Sequence, residues 1–456
     1  MMIPQLRPYQ EAGIAGLRQS FAAGAQRVLY QAPTGSGKTV LFSAIVAGAA
    51  ARGNRVVILG HRQEIVDQIG AALDELGVVH GLITAGHAEN PDAVVQVASV
   101  ATLVRRLDRL HGIDLVVIDE AHHAVAGTWR KITDAIPSAK ILGVTATPQR
   151  LDGKGLADVF DTLVIGPSIE SLIADGYLAP ATCFAPERLP DLSQVRSRAG
   201  DFAIDELGEV MRAGVVIGSA VDEYERLCPG VPAIAFCVDI KHSQLVAERF
   251  AARGYRAAHV DGDTDKNERR ALIAALARGA LQVLCNCGLI SEGLDVPGVH
   301  AAILLRPTKS LALYLQQVGR ALRPAPGKER ALILDHAGNV LRHGLPDAPR
   351  AWSLAGRAKR VAGDDELLRR CPECGAIIAL SCWTCPECGA VLREPPTVRM
   401  EIESHLVVAE RLRIMSYGQA LKWAGRDEDR LRLVAKARGY KRGWVWHRMQ
   451  ELGGAA

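Results

Sequence analysis

RVLYQAPTGSGKT, residues 27–39, joins a short apolar run to a turn of small residues that ends on Lys38 and Thr39. Val28-Leu29-Tyr30 reads as a buried strand, and the stretch VLFSAIVAGAA that follows Thr39 reads as a helix. A strand feeding a glycine-rich turn and then a helix aims several backbone N–H groups, and the positive end of the helix, at one point. Such an arrangement is a cradle for phosphate. The turn nearly fits G-x-x-x-x-G-K-[ST], with Ala32 in place of the first glycine. On that pattern Thr34, Gly35, Ser36 and Gly37 surround the phosphates, Lys38 reaches the β and γ oxygens, and the Thr39 hydroxyl holds Mg²⁺.

Outward from this turn, RVVILG (55–60), AVVQVAS (93–99), LVVIDE (115–120) and ILGVTAT (141–147) read as further strands separated by helical stretches. Their apolarity is continuous rather than alternating, which predicts parallel strands covered by helices on both faces. A second series follows residue 230: AIAFCV (233–238), YRAAHV (255–260), LQVLCN (281–286), AAILLR (301–306) and ALILDH (331–336). The expected fold class is therefore α/β, with one parallel-sheet unit over 1–165 and a second over 215–345. Residues 166–214 are weakly periodic and read as a connector with some helix. A linker and cysteine-rich segment (346–396) and a helical, basic tail (397–456) complete the chain.

LVVIDE places Asp119 and Glu120 at the end of a buried strand. Beside a phosphate loop, Asp119 is expected at Mg²⁺ and Glu120 beside the attacking water, a pairing that specifies hydrolysis rather than binding alone. His122 is expected to cap or pack, and His123 to be structural.

These residues carry a resemblance. APTGSGKT, Asp119-Glu120-Ala121-His122 and Thr145-Ala146-Thr147, in this order, resemble motifs I, II and III of superfamily 2 helicases of the DEAD/DEAH-box type. Leu6-Arg7-Pro8-Tyr9-Gln10 is similar to the adenine-side element of that group, which implies base contacts for Arg7 and Gln10. Residues 59–68 (LGHRQEIVDQ) and 97–103 (VASVATL) resemble motifs Ia and Ib, implied to face a nucleic-acid backbone. Ser291 to Pro297 resembles motif V, in which Gly293 and Asp295 couple nucleotide state to strand contacts. Gln316 to Arg323 resembles motif VI, implying that Arg320 and Arg323, three apart on one helix face, stabilise charge developing on the γ-phosphate. Gln317 stands where many relatives have arginine.

The resemblance spans about residues 3–340 and implies two tandem RecA-like domains that sandwich ATP. LRPYQ, SLALYLQQVGRALRPAPGK and LILDHAGN look most like bacterial RadD-type and phage-encoded helicases, related to the R-subunit motors of restriction enzymes. An ATP-dependent helicase or translocase acting on DNA is the leading expectation. An RNA helicase is the alternative, as is a non-catalytic zinc-bearing nucleic-acid-binding or recruitment protein.

Near the end stands CPECGAIIALSCWTCPECG, residues 371–389. Cys371-x₂-Cys374-x₁₀-Cys385-x₂-Cys388 has the spacing of a zinc ribbon, with four thiolates around Zn²⁺. Unligated or redox cysteines and a rubredoxin-like iron site are the other readings. Four protein ligands leave no open position, so the metal would be structural. Cys382 is then the spare thiol.

The net charge of +4 is uneven: residues 341–456 carry 20 Lys and Arg against 14 Asp and Glu, and five of the six tryptophans. Lys436, Arg438, Lys441 and Arg442, with Trp444 and Trp446, suit a phosphate-and-stacking surface, a helix packed through its tryptophans, or a solvated face. The ribbon and the tail are also where a protein partner would bind. The longest apolar run, Val40 to Ala51, is shorter than the ~20 residues a membrane helix needs. No membrane partner and a cytoplasmic location are therefore expected.

Overall fold

The structure is a computed structural model of the 456-residue chain and describes residues 5–88, 90–123, 127–150, 153–198, 200–289, 298–356, 367–393, 411–441 and 443–453. The motif-V stretch, with Gly293 and Asp295, and Arg442 lie outside the described residues. By its internal contacts the chain divides into two compact units, 1–390 and 391–456.

The larger unit holds two sheets. The first contains β1 (Arg27–Gln31), β2 (Val56–Gly60), β3 (His80–Ile83), β4 (Val95–Ser99), β5 (Leu115–Asp119), β6 (Lys140–Thr145) and β7 (Thr162–Ile165). They run parallel in the order β3-β4-β2-β5-β6-β1-β7. Alternate residues of each strand enter opposite cores, which is why the strands read as unbroken apolar runs. Val28, Tyr30, Val56, Ile58 and Val117 pack with helices on one face. Leu29, Val57, Leu59, Val116 and Ile118 pack with Trp129, Ile132 and Phe160 on the other.

The second sheet is made of β8 (Ala181–Phe184) and, beyond a small hairpin of β9 (Ser197–Arg198) and β10 (Asp201–Phe202), of β11 (Ala233–Cys237), β12 (Ala257–Val260), β13 (Val283–Cys287), β14 (Ala301–Leu304) and β15 (Ala331–Asp335). All six are parallel, in the order β12-β13-β11-β14-β15-β8. Four-residue β8 comes from the segment read as a connector. A strand that short has too few alternating positions to signal itself, and its pairing with β15 is set by tertiary contact. The same reason hides β3 and β7.

The cysteine segment is built onto this sheet rather than hanging from it. β8 is an edge strand, and the hairpin of β16 (Leu368–Arg370) and β17 (Ile377–Ala379) covers it. Phe184 forms a β-bridge with Ala376, and Ala185 N–H donates to Gly375 O at 3.0 Å. Arg370 Nε donates to Ala185 O at 2.8 Å, Arg226 Nη2 donates to Cys374 O at 3.0 Å, and Arg330 pairs with Glu387 at 2.5 Å. Ile377 lies in the core of the second sheet. An exposed sheet edge invites pairing with foreign strands, and the ribbon closes this one.

The chain between the second sheet and the ribbon returns to the first sheet's unit. Trp352 packs on the second core, while Leu354 packs on the first and its carbonyl accepts from Leu156 N at 2.8 Å and Ala157 N at 3.1 Å. Lys154 and Gly356 form a β-bridge. This strap ties the two sheets together through backbone.

Unit 391–456 contains helices Tyr417–Ala424, Glu428–Arg438 and Gly443–Gly453 around a core of Leu412, Ala420, Ala424, Leu431, Val434 and Ala437. Trp423 and Trp444 pack against that core, whereas Trp446 is 62% exposed. Among the described residues no helix is long and apolar enough to cross a membrane.

The strap depends on Gly155, where an added Cβ would sit 2.0 Å from Leu354 O and 2.5 Å from Gly356 N. Gly155→Ala is expected to lower the melting temperature, at a cost of roughly 1–3 kcal/mol for backbone overpacking. It should also increase proteolysis between the second sheet and the ribbon. Gly218→Ala, mid-helix with nothing within 4 Å of the new atom, should raise stability by roughly 0.5–1 kcal/mol. Thermal unfolding of the two variants checks the pair.

Candidate ATP site and metal centre

Three adjacent parallel strands, β1, β6 and β5, end side by side, and each delivers a sequence motif at its C-terminal end. This is where open α/β sheets place ligands, because loops diverge there and helix N-termini converge. Gln31 is in register with Thr145, and Asp119 with Val144. The phosphate loop is pinned to its neighbour: Ala32 N donates to Thr145 O at 3.0 Å, and Gln31 Nε2 to Ala146 O at 3.0 Å.

The loop turns into helix Lys38–Ala50 through Gly37, whose φ of 75° lies in the left-handed region. Lys38 Nζ folds back to Ala32 O at 3.1 Å and Pro33 O at 3.2 Å, spanning the space that phosphate oxygens would fill. Burial lowers the Lys38 pKa. Glu120 and Asp119 act to raise it, and Arg320 and Arg323 to lower it further. Asp119 is shifted the other way: burial and the neighbouring Glu120 raise its pKa, opposed by Lys38, by the Glu120 N–H at 3.0 Å and by Arg320. One lysine, two carboxylates and two arginines thus act on one another in a space of low dielectric.

Arg320 and Arg323 belong to the second sheet's unit. Helix Leu311–Ala321 is capped by Ser310, whose hydroxyl accepts from Leu313 N at 3.3 Å. It reaches the phosphate loop through Gly319, where a Cβ would lie 2.6 Å from Thr34 Cβ. Only glycine lets the helix backbone approach so closely, and the approach carries Arg320, 4% exposed, to the loop. On the same helix Gln316 and Gln317 are each 1% exposed, and their side-chain amides have no hydrogen-bond partner. Buried amides without partners suit a polar ligand. Gln317, the departure from the family pattern, is therefore a buried polar group and not a surface variant.

Glu120 has φ 49°, an uncommon value for a residue with a side chain, and is 8% exposed. Its Oε2 accepts no hydrogen bond, though His122 Nδ1 lies 3.4 Å away. A strained backbone holding an unsatisfied carboxylate oxygen fits a group that orients water. His122 Nδ1 also lies 3.1 Å from Thr145 Oγ1, which accepts from Thr147 N at 3.2 Å and donates to Thr147 O at 2.9 Å. The histidine thereby joins the ends of β5 and β6. His123 lies between His122 and His61 with its ring tilted to both, at centroid distances of 4.2 and 4.7 Å.

Gln10, 3% exposed, accepts from Arg7 N at 2.9 Å and donates to Gly37 O at 3.1 Å, bracing the phosphate loop. Two aromatic residues missed by the sequence reading complete this corner. Tyr9 hydroxyl donates to Ser36 O at 2.8 Å, and Tyr177 lies edge-on to Tyr9 at 5.3 Å. Arg7 sits 4.5 Å over the Tyr177 ring and donates to the Tyr9 hydroxyl at 2.9 Å. Tyr9 was visible in LRPYQ, but Tyr177 is 168 residues away and has no sequence signal. The motif-Ia stretch also faces the half built on the second sheet: Arg62 Nη1 donates to Gly288 O at 3.1 Å, and Glu64 pairs with Arg269.

In the ribbon, the sulfurs of Cys371, Cys374, Cys385 and Cys388 all lie within 4.8 Å of one another. Cys371 and Cys388 are 3.8 Å apart, and Cys374 and Cys385 3.7 Å. Sulfurs at tetrahedral corners about 2.3 Å from zinc are separated by roughly 3.8 Å, so the four residues fit that ion. Cys382 is not among them.

Two family models match the chain: the res subunit of type III restriction enzymes over residues 3–150 and the helicase conserved C-terminal domain over residues 221–325. A 51.5 kDa protein of a Lactococcus phage is 34% identical over 416 residues, covering 90% of this chain and 88% of its own. A provisionally named ATP-dependent helicase of Saccharomyces cerevisiae, IRC3, is 33% identical over 358 residues, 74% of this chain but only 52% of the yeast protein. In fold, the chain is similar to the ATP-dependent type ISP restriction-modification enzyme LlaBIII, solved bound to DNA, with a TM-score of 0.54 and 17% identity over 72% of this chain and 27% of that one. Motifs in family order on two RecA-like sheets, matched by a restriction-enzyme res-subunit model in one half and a helicase C-terminal model in the other, make this chain a superfamily 2 helicase, an ATP-hydrolysing enzyme related to the motors of restriction enzymes.

Proposed function

We propose that the chain is a DNA motor that couples ATP hydrolysis to movement on, or remodelling of, DNA in repair, replication or phage DNA metabolism. The observation that carries the reading is the seat of Gly319 on Thr34: it brings arginines of one sheet's unit to the phosphate loop of the other. Lys38, the loop N–H groups and Thr39 hold the phosphates on one side. Asp119 and Thr39 offer hard oxygen ligands suited to Mg²⁺, which supplies charge neutralisation at the phosphates. Glu120 orients the attacking water and receives its proton. Arg320 and Arg323 face the charge that develops on the γ-phosphate. Arg7 and Gln10, with Tyr9 and Tyr177, form the adenine side.

Because the γ-phosphate is gripped from both units, its loss removes the contact that holds them closed. The stretches 59–68 and 97–103 and the motif containing Gly293 and Asp295 then change their hold on the nucleic-acid backbone. DNA is favoured by the match to a restriction-enzyme subunit family. Zn²⁺ on Cys371, Cys374, Cys385 and Cys388 is a structural ion that holds the ribbon over the edge of the second sheet.

ATP turnover is expected to rise with single-stranded or duplex DNA more than with RNA, and Lys38→Ala and Arg320→Ala should each lower it by about 10³-fold or more. Turnover indifferent to every nucleic acid would overturn the motor, and preference for RNA would select an RNA helicase. Metal analysis should find one zinc per chain, lost in Cys371→Ser and kept in Cys382→Ser. Chelation should lower the melting temperature of the whole chain, because the uncovered edge belongs to the motor.

A further inference from the structure

Residues 411–456 carry eleven Lys and Arg against four Asp and Glu, a net of +7, which leaves the preceding 410 residues at −3. A polyanion-handling protein whose larger part is net acidic thus concentrates its positive charge in a unit of three short helices. Which of those cations are available is decided by the fold. Arg413 Nε and Arg438 Nε donate to Ala437 O at 3.2 Å and Leu412 O at 2.9 Å, so both hold the unit together. Arg432 pairs with Glu428 at 2.6 Å, Arg430 lies 3.6 Å from Asp427, and Arg448 pairs with Glu451. Arg432 also lies 3.4 Å from Asp429, so all four acidic residues are engaged.

Besides Arg411 at the unit's start and Arg442, which lies outside the described residues, Lys422, Arg426, Lys436 and Lys441 remain. All four are exposed, and none has an acidic partner among the described residues. In the same three-helix unit, Trp446 is 62% exposed on helix Gly443–Gly453, although Trp423 and Trp444 pack against its core. A large apolar ring left in water on the same small unit as four exposed cations is the composition of a surface that neutralises a phosphate backbone and stacks a base. Duplex DNA hides its base faces, so the exposed ring selects for single strands.

We propose that the three-helix unit is a second nucleic-acid contact, in which Lys422, Arg426, Lys436 and Lys441 neutralise the backbone of single-stranded DNA and Trp446 stacks on an unpaired base. It lies outside the ATP-driven motor, binds without regard to nucleotide state, and keeps the chain on its track while the two sheets open and close. The proposal rests on the reading of the chain as a DNA motor.

The test is fluorescence anisotropy of the full chain, without nucleotide, on a labelled oligothymidylate and on a blunt duplex over a range of salt. Each phosphate neutralised on a single strand contributes about 0.7 to the slope of log K against log salt. The quadruple variant Lys422→Gln, Arg426→Gln, Lys436→Gln, Lys441→Gln should therefore show a slope shallower by about 2–3 and at least a tenfold loss of affinity for oligothymidylate. Trp446→Ala should weaken oligothymidylate binding severalfold with its salt slope unchanged and leave duplex binding as it was. Unchanged slope and affinity in the quadruple variant, or a loss confined to the duplex, overturns the proposal. A wild-type chain that binds neither probe overturns the motor reading itself.

Discussion

The contact between Gly319 and Thr34 is the constraint on which the rest of this architecture turns. A phosphate loop alone is a binding site. It becomes a switchable catalytic site when a second body supplies positive charge that depends on where that body sits. Here the helix backbone lies against the loop, with no side chain at Gly319 to hold it away. Arg320 then acts electrostatically on both Lys38 and Asp119. The shifts on those two groups are costs of burying charge, and phosphate and a divalent cation are the partners that would offset them.

Several features hold the two sheets in the relation this site requires. The strap through Trp352 and Leu354 places residues two apart in one segment against two different cores. On the motif-Ia side, Arg62 and Glu64 reach Gly288 and Arg269 of the half built on the second sheet. The first is backbone bonding in a tight fit, and the second is ionic and partly exposed, so the two differ in how readily they release. A motor needs both kinds of connection: a tether that keeps the units together, and contacts that exchange as the cleft works.

The ribbon's place sets what a metal on its four cysteines would do. A four-thiolate segment of about 20 residues cannot build a core of its own and depends on its ion for order. Because Ala376 bridges Phe184 and Ile377 enters the second core, that order is passed to the edge of the motor's sheet. The repeated Cys-Pro-Glu-Cys-Gly turns made the ligands legible, but nothing in them indicated which surface they would seat upon.

Read alone, the sequence determined the α/β class, ten of the strands, the order of the motifs and which four cysteines cluster. Each of these is written locally, as continuous apolarity, as glycine beside lysine, or as fixed cysteine spacing. Tertiary structure alone decided that β8 joins the second sheet, that Tyr177 completes the corner of Arg7 and Tyr9, and that His122 bonds Thr145. It also decided that Arg438 is a structural brace while Lys436 is not, and that Trp444 packs half-buried on the core while Trp446 is exposed. The physical reason is common to all of them: a four-residue strand, a lone aromatic or one cation among eleven has no periodic neighbour to report its role. Its role is set by which distant surface the fold brings within a few ångströms.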